Sequence, residues 1–222
     1  MLVIMGAALS VSGLSLYVSR ALLPAKMRRA YRKAITALAV AVETKDSGTV
    51  GHAQRVAELT VAVAIGLGIT GKELVRIEYA ALLRDIGKAI IPQSVLNKNG
   101  PLTQAEWTVV QAHTVQGAEM VAAVPFLANA ADYVRHHHEC WDGSGYPDRL
   151  AAEEIPLGSR ILAVTSDFDA MTSERPYHPS GMSTDAALKE ITNGSGTRYD
   201  PMIVKVFVDL IRNNADDKAR AS

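Results

Sequence analysis

The chain lacks several features that would place it in common classes of protein. Its only cysteine in 222 residues is Cys140, which excludes an intramolecular disulfide framework and suits a reducing compartment. The formal net charge is zero, so no overall charge points to nucleic acid and we expect no DNA partner. Few segments alternate apolar and polar residues with a period of two, so we predict that strands are nearly absent. With 48% hydrophobic residues, the chain can bury a sizeable core.

The amino-terminal segment 1–23 is almost free of charge, and Arg20 is its only ionisable side chain. At about 1.5 Å per residue, a helix of this length is just long enough to cross a ~30 Å hydrocarbon layer. Five basic residues follow at once: Lys26, Arg28, Arg29, Arg32 and Lys33. We therefore predict a single-pass membrane anchor with the remainder of the chain in the cytoplasm. A buried soluble helix and the last span of a longer membrane protein are the alternatives.

Apolar residues recur at helical spacing through the rest of the chain and predict an all-helical bundle. Residues 26–45 contain no proline or glycine and are expected to form a helix. Another helix is expected to begin at His52. Thr70 with Glu73, and Thr103 with Glu106, are two predicted capping boxes. A helix over residues 129–139 is predicted to carry three consecutive histidines.

The most informative stretch is 136–147, which reads His-His-His-Glu-Cys-Trp-Asp-Gly-Ser-Gly-Tyr-Pro. Neutral imidazoles are the commonest metal ligands, and adjacent histidines can reach one centre where a helix is ending. Gly143 and Gly145 favour such an ending, because either adopts positive φ at little cost. A solvated helix end is the other interpretation of three histidines in a row.

Other histidines and aspartates lie near the ends of predicted helices. They are His52, Asp85, His113, His137, His138 and either Asp167 or Asp169. Imidazoles and carboxylates from separate helices of a bundle can converge on one metal ion, and an ion with an open position activates water. The pattern therefore predicts a metal centre in the core of the bundle.

With these motifs the chain resembles the HD-GYP domains, the bacterial cyclic di-GMP phosphodiesterase branch of the HD metal-dependent phosphohydrolases. Eight segments between about Val42 and Phe207 match in family order: His52-Ala-Gln-Arg-Val, Asp85-Ile-Gly-Lys88, Pro101-Leu-Thr, His113 with Gly117, His137-His138-Glu139, Asp142-Gly-Ser-Gly-Tyr-Pro147, Glu154-Ile-Pro-Leu and Asp169-Ala-Met-Thr-Ser-Glu-Arg-Pro-Tyr177. The resemblance implies two or three divalent metal ions, often iron or manganese, that activate water against the phosphodiester bonds of cyclic di-GMP.

The resemblance also implies partners, a location and domain boundaries. The expected ligand is cyclic di-GMP or a related cyclic dinucleotide, and the expected location is the bacterial inner membrane, with signalling proteins as possible partners. The boundaries that we assign are a transmembrane anchor at 1–23, a juxtamembrane helix at 24–46, an HD-GYP-type domain at 47–214 and a flexible tail at 215–222.

Individual roles follow from the same resemblance. The implied metal-site positions are His52, Asp85, His113, His137 and His138, and the implied catalytic residues are Asp85 and Lys88. Lys88 and Arg175 are the expected contacts to substrate phosphate, one as a point charge and the other as a planar fork. Gly143, Tyr146 and Pro147 are expected to shape the rim of the site, although a packed turn explains Tyr146 and Pro147 equally well.

Two positions depart from the family pattern. Arg84 stands where the family has the His of its His-Asp pair, and a guanidinium offers no lone pair to a metal. Ser166 stands where the family has a ligand Asp, and Asp167 follows one residue later. A shift of one residue turns a side chain by about 100° around a helix, so Asp167 can act as a metal ligand only if the helix end adjusts.

These departures leave two arrangements open. If Arg84 points inward, it acts as a fixed cation paired with Asp85 or Asp167, and it repels a metal ion about 4 Å away by several kcal/mol at an effective dielectric near ~20. If Arg84 extends to solvent, one metal ion is retained on His113, His137 and His138.

Two functions are open as well. The chain is either a membrane-anchored phosphodiesterase that hydrolyses cyclic di-GMP to linear pGpG or GMP, weakened by Arg84 and Ser166, or a catalytically inactive module. Such a module would bind a nucleotide or a partner protein in cyclic di-GMP signalling. Metal content separates the two, because hydrolysis of this kind depends on a metal ion that activates water.

Overall fold

The computed structural model describes residues 23–45, 51–173 and 181–221. The chain divides into two compact units, Met1–Ala37 and Leu38–Ser222. Regular structure in the described ranges is helical apart from one isolated bridge between Ser195 and Tyr199, so the predicted all-helical fold is confirmed.

Within those ranges the structure contains no helix that is long and apolar enough to cross a membrane. The anchor predicted at residues 1–23 lies outside the described residues, except for Leu23. The described part of the first unit is helical, from Leu23 onward.

Ten α-helices follow one another in the described residues: α1 Leu23–Glu43, α2 His52–Gly66, α3 Gly71–Leu83, α4 Gln93–Leu96, α5 Gln104–Gln111, α6 His113–Ala122, α7 Ala131–Arg135, α8 Leu157–Thr172, α9 Thr184–Asn193 and α10 Pro201–Ala221. Short 3₁₀ helices cover Ile86–Ile90, Ala128–Ala130 and Ala152–Glu154. The last α-helix continues to Ala221, into the segment that the sequence suggested as a flexible tail.

Two helix starts show how capping depends on the surrounding structure. At α5, the Thr103 hydroxyl accepts a hydrogen bond from the Glu106 N–H, and the Glu106 carboxylate accepts one from the Thr103 N–H, so this predicted capping box is confirmed. At α3, Thr70 makes no side-chain cap, because the Glu73 carboxylate accepts a hydrogen bond from the Tyr133 hydroxyl instead. The second predicted capping box is therefore wrong.

The core of the larger unit forms around α2, which packs against α3, α8 and α10. Val56 and Val63 of α2 are fully buried, and each contributes about 1.5–3 kcal/mol to folding by leaving water. A hydrogen bond of 2.7 Å joins the buried hydroxyls of Thr60 and Thr165 where α2 meets α8. This contact sets α8 against α2 and so determines where the side chains of α8 point.

Two charged side chains near the end of α1 attach to the segments that carry predicted site residues. The Glu43 carboxylate accepts hydrogen bonds from two backbone N–H groups at the start of α2, where His52 lies. A negative charge at a helix N-terminus is favourable, because the helix dipole is positive there. The Lys45 ammonium donates to the carbonyls of Ala89 and Ile91, just beyond the Asp85-to-Lys88 motif.

Candidate metal centre

The three consecutive histidines lie in the turn that follows α7, which ends at Arg135 and so is shorter than the helix predicted over 129–139. The Nδ1 atom of His137 lies 2.6 Å from the carbonyl oxygen of Val134. A carbonyl can only accept, so Nδ1 carries the proton and Nε2 carries the lone pair. That Nε2 atom is buried and has no hydrogen-bond partner in the part of the chain described. The fold therefore holds His137 in a tautomer suited to metal binding.

His113 repeats this arrangement at the first residue of α6. Its Nδ1 atom donates to the carbonyl of Val110 at 2.6 Å, and its buried Nε2 atom has no hydrogen-bond partner among the described residues. The ligand atoms of His113, His137 and His138 all lie within 4.8 Å of one another. These three residues, which we call the histidine cluster, therefore present unprotonated nitrogen atoms to one small volume.

Burial lowers the pKa of each imidazole in the histidine cluster. The effect is large for His137, to which the neighbouring His138 and His113 add, and burial takes the pKa of His138 to about 3. Burial also lowers the pKa of His113, although the Asp85 carboxylate opposes the change. All three side chains are consequently neutral near pH 7, the state in which imidazole binds a metal ion.

Asp85 lies beside the cluster, with its Oδ1 atom 3.7 Å from Nε2 of His113. The Lys88 ammonium is 3.1 Å from Oδ1, and Nη2 of Arg84 is 3.2 Å from Oδ2. Burial raises the pKa of Asp85, but Lys88 and Arg84 outweigh burial and hold this pKa well below its ordinary value. The carboxylate is therefore ionised, with a cation on each oxygen.

Arg84 points inward, and its side chain is 1% exposed. Its Nη1 atom donates to the carbonyl of Ala81 at 2.9 Å. Its Nε and Nη2 atoms make no hydrogen bond of good geometry within the described residues, although Nη2 forms the ion pair with Asp85. The structure thus has the inward arrangement of Arg84 together with the histidine cluster, which the sequence suggested only for the outward one.

The approach of the Ile86–Ile90 segment to α6 requires glycine at position 87. A Cβ atom on Gly87 would lie 2.0 Å from the carbonyl oxygen of His113 and 2.8 Å from the backbone nitrogen of Gly117. No real Cβ atom approaches backbone so closely, so any larger residue must push the two elements apart. Gly87 therefore permits Asp85 to lie next to His113.

We expect Gly87→Ala to lower the free energy of unfolding by about 3 kcal/mol or more, since the clash is with backbone on both sides. Gly117→Ala is the matched control, because its Cβ atom would meet its nearest neighbours at 3.2–3.4 Å. Its expected cost is below about 1.5 kcal/mol, as alanine also favours the helix. Urea unfolding followed by circular dichroism compares the two, and equal losses would contradict this account of Gly87.

His52 is not part of the histidine cluster. Its Nδ1 atom donates to Oδ2 of Asp169 at 2.5 Å, and the Arg55 guanidinium donates to both oxygens of the same carboxylate at 2.8 and 3.0 Å. Burial raises the pKa of Asp169, but the hydrogen bonds from His52 and Arg55 outweigh it, so the net pKa is far below the ordinary value. Asp169 therefore orients the His52 ring, and the assignment of His52 as a metal ligand stays a prediction.

Asp167 points to partners outside the cluster. Its Oδ2 atom accepts a hydrogen bond from the Tyr199 hydroxyl and pairs with Nη2 of Arg198, each at 2.8 Å. Ser166 and Asp167 both line a cavity of about 280 Å³ that His137 and His138 also line. The structure does not bring Asp167 into the histidine cluster, so its role as a ligand also stays a prediction.

The glycine-rich loop lies against the cluster. Gly143 has a φ of 80°, and the Ser144 N–H donates to Oδ1 of Asp142 at 2.9 Å, which closes the turn. The Tyr146 ring stacks on the ring of His138 with centroids 5.0 Å apart, and Tyr146 also lines the cavity. Tyr146 is thus both packed and at the rim. Pro147 follows it through a cis peptide bond, and Arg175 lies outside the described residues.

Sequence reasoning did not identify Arg198, because its partner Asp167 is far away in the chain and no motif joins them. It also did not separate His136 from its neighbours. The Nε2 atom of His136 bonds to Asp148 at 2.8 Å, and its Nδ1 atom bonds to the carbonyl of Asp132 at 2.9 Å. Both ring nitrogens of His136 are therefore used in holding the loop.

The donor set fits a divalent metal ion. Three neutral imidazoles with converging nitrogen atoms and an adjacent ionised carboxylate are the ligands that iron, manganese and zinc sites use. The set fits one ion better than two, because the Arg84 guanidinium lies on Asp85 and residue 166 supplies a hydroxyl in place of a carboxylate.

Fold and site together define an all-helical domain with a histidine metal centre flanked by an aspartate. The family model for the HD domain matches residues 36–203. The chain belongs to the HD-domain family and, by its relatives, to the HD-GYP type.

Two curated relatives and one solved structure illustrate this membership. The chain is 40% identical over 179 residues to the cyclic di-GMP phosphodiesterase response regulator RpfG of Xanthomonas campestris pv. campestris, which covers 80% of this chain and 47% of RpfG. It is 38% identical over 177 residues to a cyclic di-GMP phosphodiesterase of Thermotoga maritima, covering 78% of this chain and 48% of the relative. The chain thus spans about half the length of these relatives.

The crystal structure of a cyclic GMP-AMP specific phosphodiesterase of V. cholerae matches with a TM-score of 0.65. The match covers 81% of this chain and 48% of that chain at 22% identity. At this level of identity, the match shows likeness of fold.

Proposed function

We propose that this domain is a cyclic-dinucleotide phosphodiesterase with a reduced metal site. His113, His137 and His138 would hold a single divalent ion, iron or manganese, beside Asp85. The observation that carries the proposal is the histidine cluster, in which backbone carbonyls fix two rings and leave their Nε2 atoms buried and unpartnered. A buried nitrogen without a partner costs about 1–3 kcal/mol, and a bound metal ion would remove that cost.

When bound, a divalent ion supplies Lewis-acid polarisation of a phosphoryl oxygen and lowers the pKa of water. Around it, Lys88 and Arg84 supply positive charge to the phosphate oxygens on which charge develops. Arg84 suits this role, since its Nε and Nη2 atoms lack good hydrogen bonds among the described residues. The low pKa of Asp85 makes it a weak base, so it positions groups and balances charge instead of removing a proton.

A second candidate function is a catalytically inactive module that binds a cyclic dinucleotide or a partner protein in signalling. The arrangement at residues 84 and 166 favours it, because a buried guanidinium and a hydroxyl stand where the family has an imidazole and a carboxylate. Attachment to the inner membrane is a further proposal and rests on the composition of residues 1–23.

Metal content and turnover test the proposal. The full chain, purified anaerobically, should contain about one divalent ion as measured by inductively coupled plasma mass spectrometry. It should convert cyclic di-GMP to pGpG or GMP, as followed by chromatography. Nucleotide binding without turnover in metal-loaded protein would favour the inactive module, and absence of metal after incubation with iron or manganese would contradict the proposed site.

A further inference from the structure

The cavity of about 280 Å³ beside the histidine cluster has wall residues that the proposed hydrolysis does not use. Trp107 and Gln111 of α5 line it, as does Arg198. Residues four apart on a helix share one face, so α5 presents an indole and an amide together. Trp107 is 42% exposed, which leaves part of its ring uncovered at the cavity.

Arg198 is held in place at this wall. Its Nη2 atom lies 2.8 Å from Oδ2 of Asp167, and its guanidinium lies 5.6 Å from the centre of the Tyr199 ring. The Tyr199 hydroxyl donates to the same Asp167 oxygen. A guanidinium carries five N–H donors and this ion pair uses one nitrogen, so a fixed fork of donors faces outward from a side chain that is 58% exposed.

A second cavity, of about 430 Å³, also has Asp167 and Arg198 in its wall. The Asp167–Arg198 pair therefore stands between two hollows, one of which reaches His137 and His138. Pockets that enclose a whole drug-sized ligand range over about 300–1,000 Å³. The cavity beside the histidines is at the small end of this range and suits one base of a larger ligand.

We infer that this cavity is a nucleobase subsite in which Trp107 stacks on the base and Arg198 reads the edge of guanine. The inference rests on the proposed function for the class of ligand, a cyclic dinucleotide. Guanine offers two acceptors, O6 and N7, to the paired donors of an arginine. Adenine has an amino donor in place of O6, which a guanidinium cannot accept. Arg198 would therefore select guanine over adenine.

The same arrangement gives Asp167 a task. Its displacement by one residue from the family's ligand position points its carboxylate at Arg198 and Tyr199. Asp167 is then a positioning residue that holds the guanidinium towards the base. Stacking on Trp107 depends on the flat face that every base has, so its contribution does not depend on which base is bound.

Calorimetric titration of the full chain with cyclic di-GMP and with cyclic di-AMP tests this inference. A chelator in both titrations prevents turnover. Arg198→Lys keeps the charge and removes the paired donors, and we expect it to weaken cyclic di-GMP binding about tenfold to a hundredfold. Its effect on cyclic di-AMP should be less than about threefold, because adenine makes no paired contact with this residue.

Two further variants separate positioning from stacking. Asp167→Asn should weaken cyclic di-GMP binding selectively but less than Arg198→Lys does, since it loosens Arg198 without removing it. Trp107→Ala should weaken both ligands by similar factors, about tenfold, because stacking is indifferent to the base. Thermal unfolding of each variant checks that the fold is intact.

Equal losses for both ligands in Arg198→Lys would overturn the inference, as would unchanged binding of cyclic di-GMP or failure of the parent to bind it. The proposed hydrolysis fails or stands separately. Selective loss of cyclic di-GMP binding in a parent that shows no turnover when metal is restored supports the subsite and contradicts the enzyme. Turnover with binding that is insensitive to Arg198→Lys does the reverse.

Discussion

The Arg84→His, Ser166→Asp double variant should bind about one more divalent ion per chain than the parent and hydrolyse cyclic di-GMP at least about tenfold faster. The two substitutions supply an imidazole and a carboxylate at the positions where the family has ligands. They also remove a buried guanidinium, whose charge repels a dication about 4 Å away by several kcal/mol at an effective dielectric of ~20. Asp85, relieved of its ion pair with Arg84, becomes available to the second ion.

Controls separate charge from ligation in this experiment. Arg84→Met removes the charge at similar length without adding a ligand, and it should leave the metal content at the parent level. Ser166→Asp alone places a carboxylate in the cavity wall beside His137 and His138 but keeps Arg84, so it should gain less metal than the double variant. Mass spectrometry of metal content after anaerobic loading compares all four proteins. A double variant with no more metal than the parent would show that Arg84 and Ser166 do not explain the reduced site.

The histidine cluster was predictable because the chemistry of its residues does not depend on fine geometry. His137 and His138 follow one another where a helix ends, and the glycines after them mark the turn. The sequence could not show which of the three consecutive histidines was structural. His136 is excluded only because Asp148 reaches its Nε2 atom and Asp132 supplies a carbonyl to its Nδ1 atom.

The direction of Arg84 was not predictable for a related reason. A long side chain at a helix end can extend to water or turn inward, and both choices fit the same sequence pattern. Inside the protein, the Ala81 carbonyl and the Asp85 carboxylate receive the guanidinium. The Asp85 carboxylate in turn lies against α6 because Gly87 allows the close contact there.

Longer-range partners decided the other differences. Glu73 fits a capping box by its spacing from Thr70, but the Tyr133 hydroxyl takes its carboxylate in the folded chain. Asp167 similarly bonds to Arg198 and Tyr199, which lie beyond α9. Local sequence carries information on which groups can bond, whereas packing of distant elements determines which bonds form.

His137→Ala should abolish metal binding and turnover, whereas His136→Gln should retain both. The two residues are neighbours of the same type and both are buried, so the pair isolates the effect of the cluster from that of histidine itself. Loss of a residue that only orients a ligand weakens metal binding by about 10–100-fold, and loss of the ligand His137 should exceed this. His136→Gln should instead cost about 1–2 kcal/mol of stability through its hydrogen bonds to Asp132 and Asp148.

Thermal unfolding with and without manganese gives a readout that does not depend on activity. An ion that binds only the folded chain stabilises it by about 2.7 kcal/mol at a hundred times its Kd. The parent and His136→Gln should show this gain, and His137→Ala should not. If His136→Gln loses the gain as well, the metal response depends on the whole loop and not on the histidine cluster. If His137→Ala keeps it, the ion binds elsewhere, and the assignment of His113, His137 and His138 as its ligands is wrong.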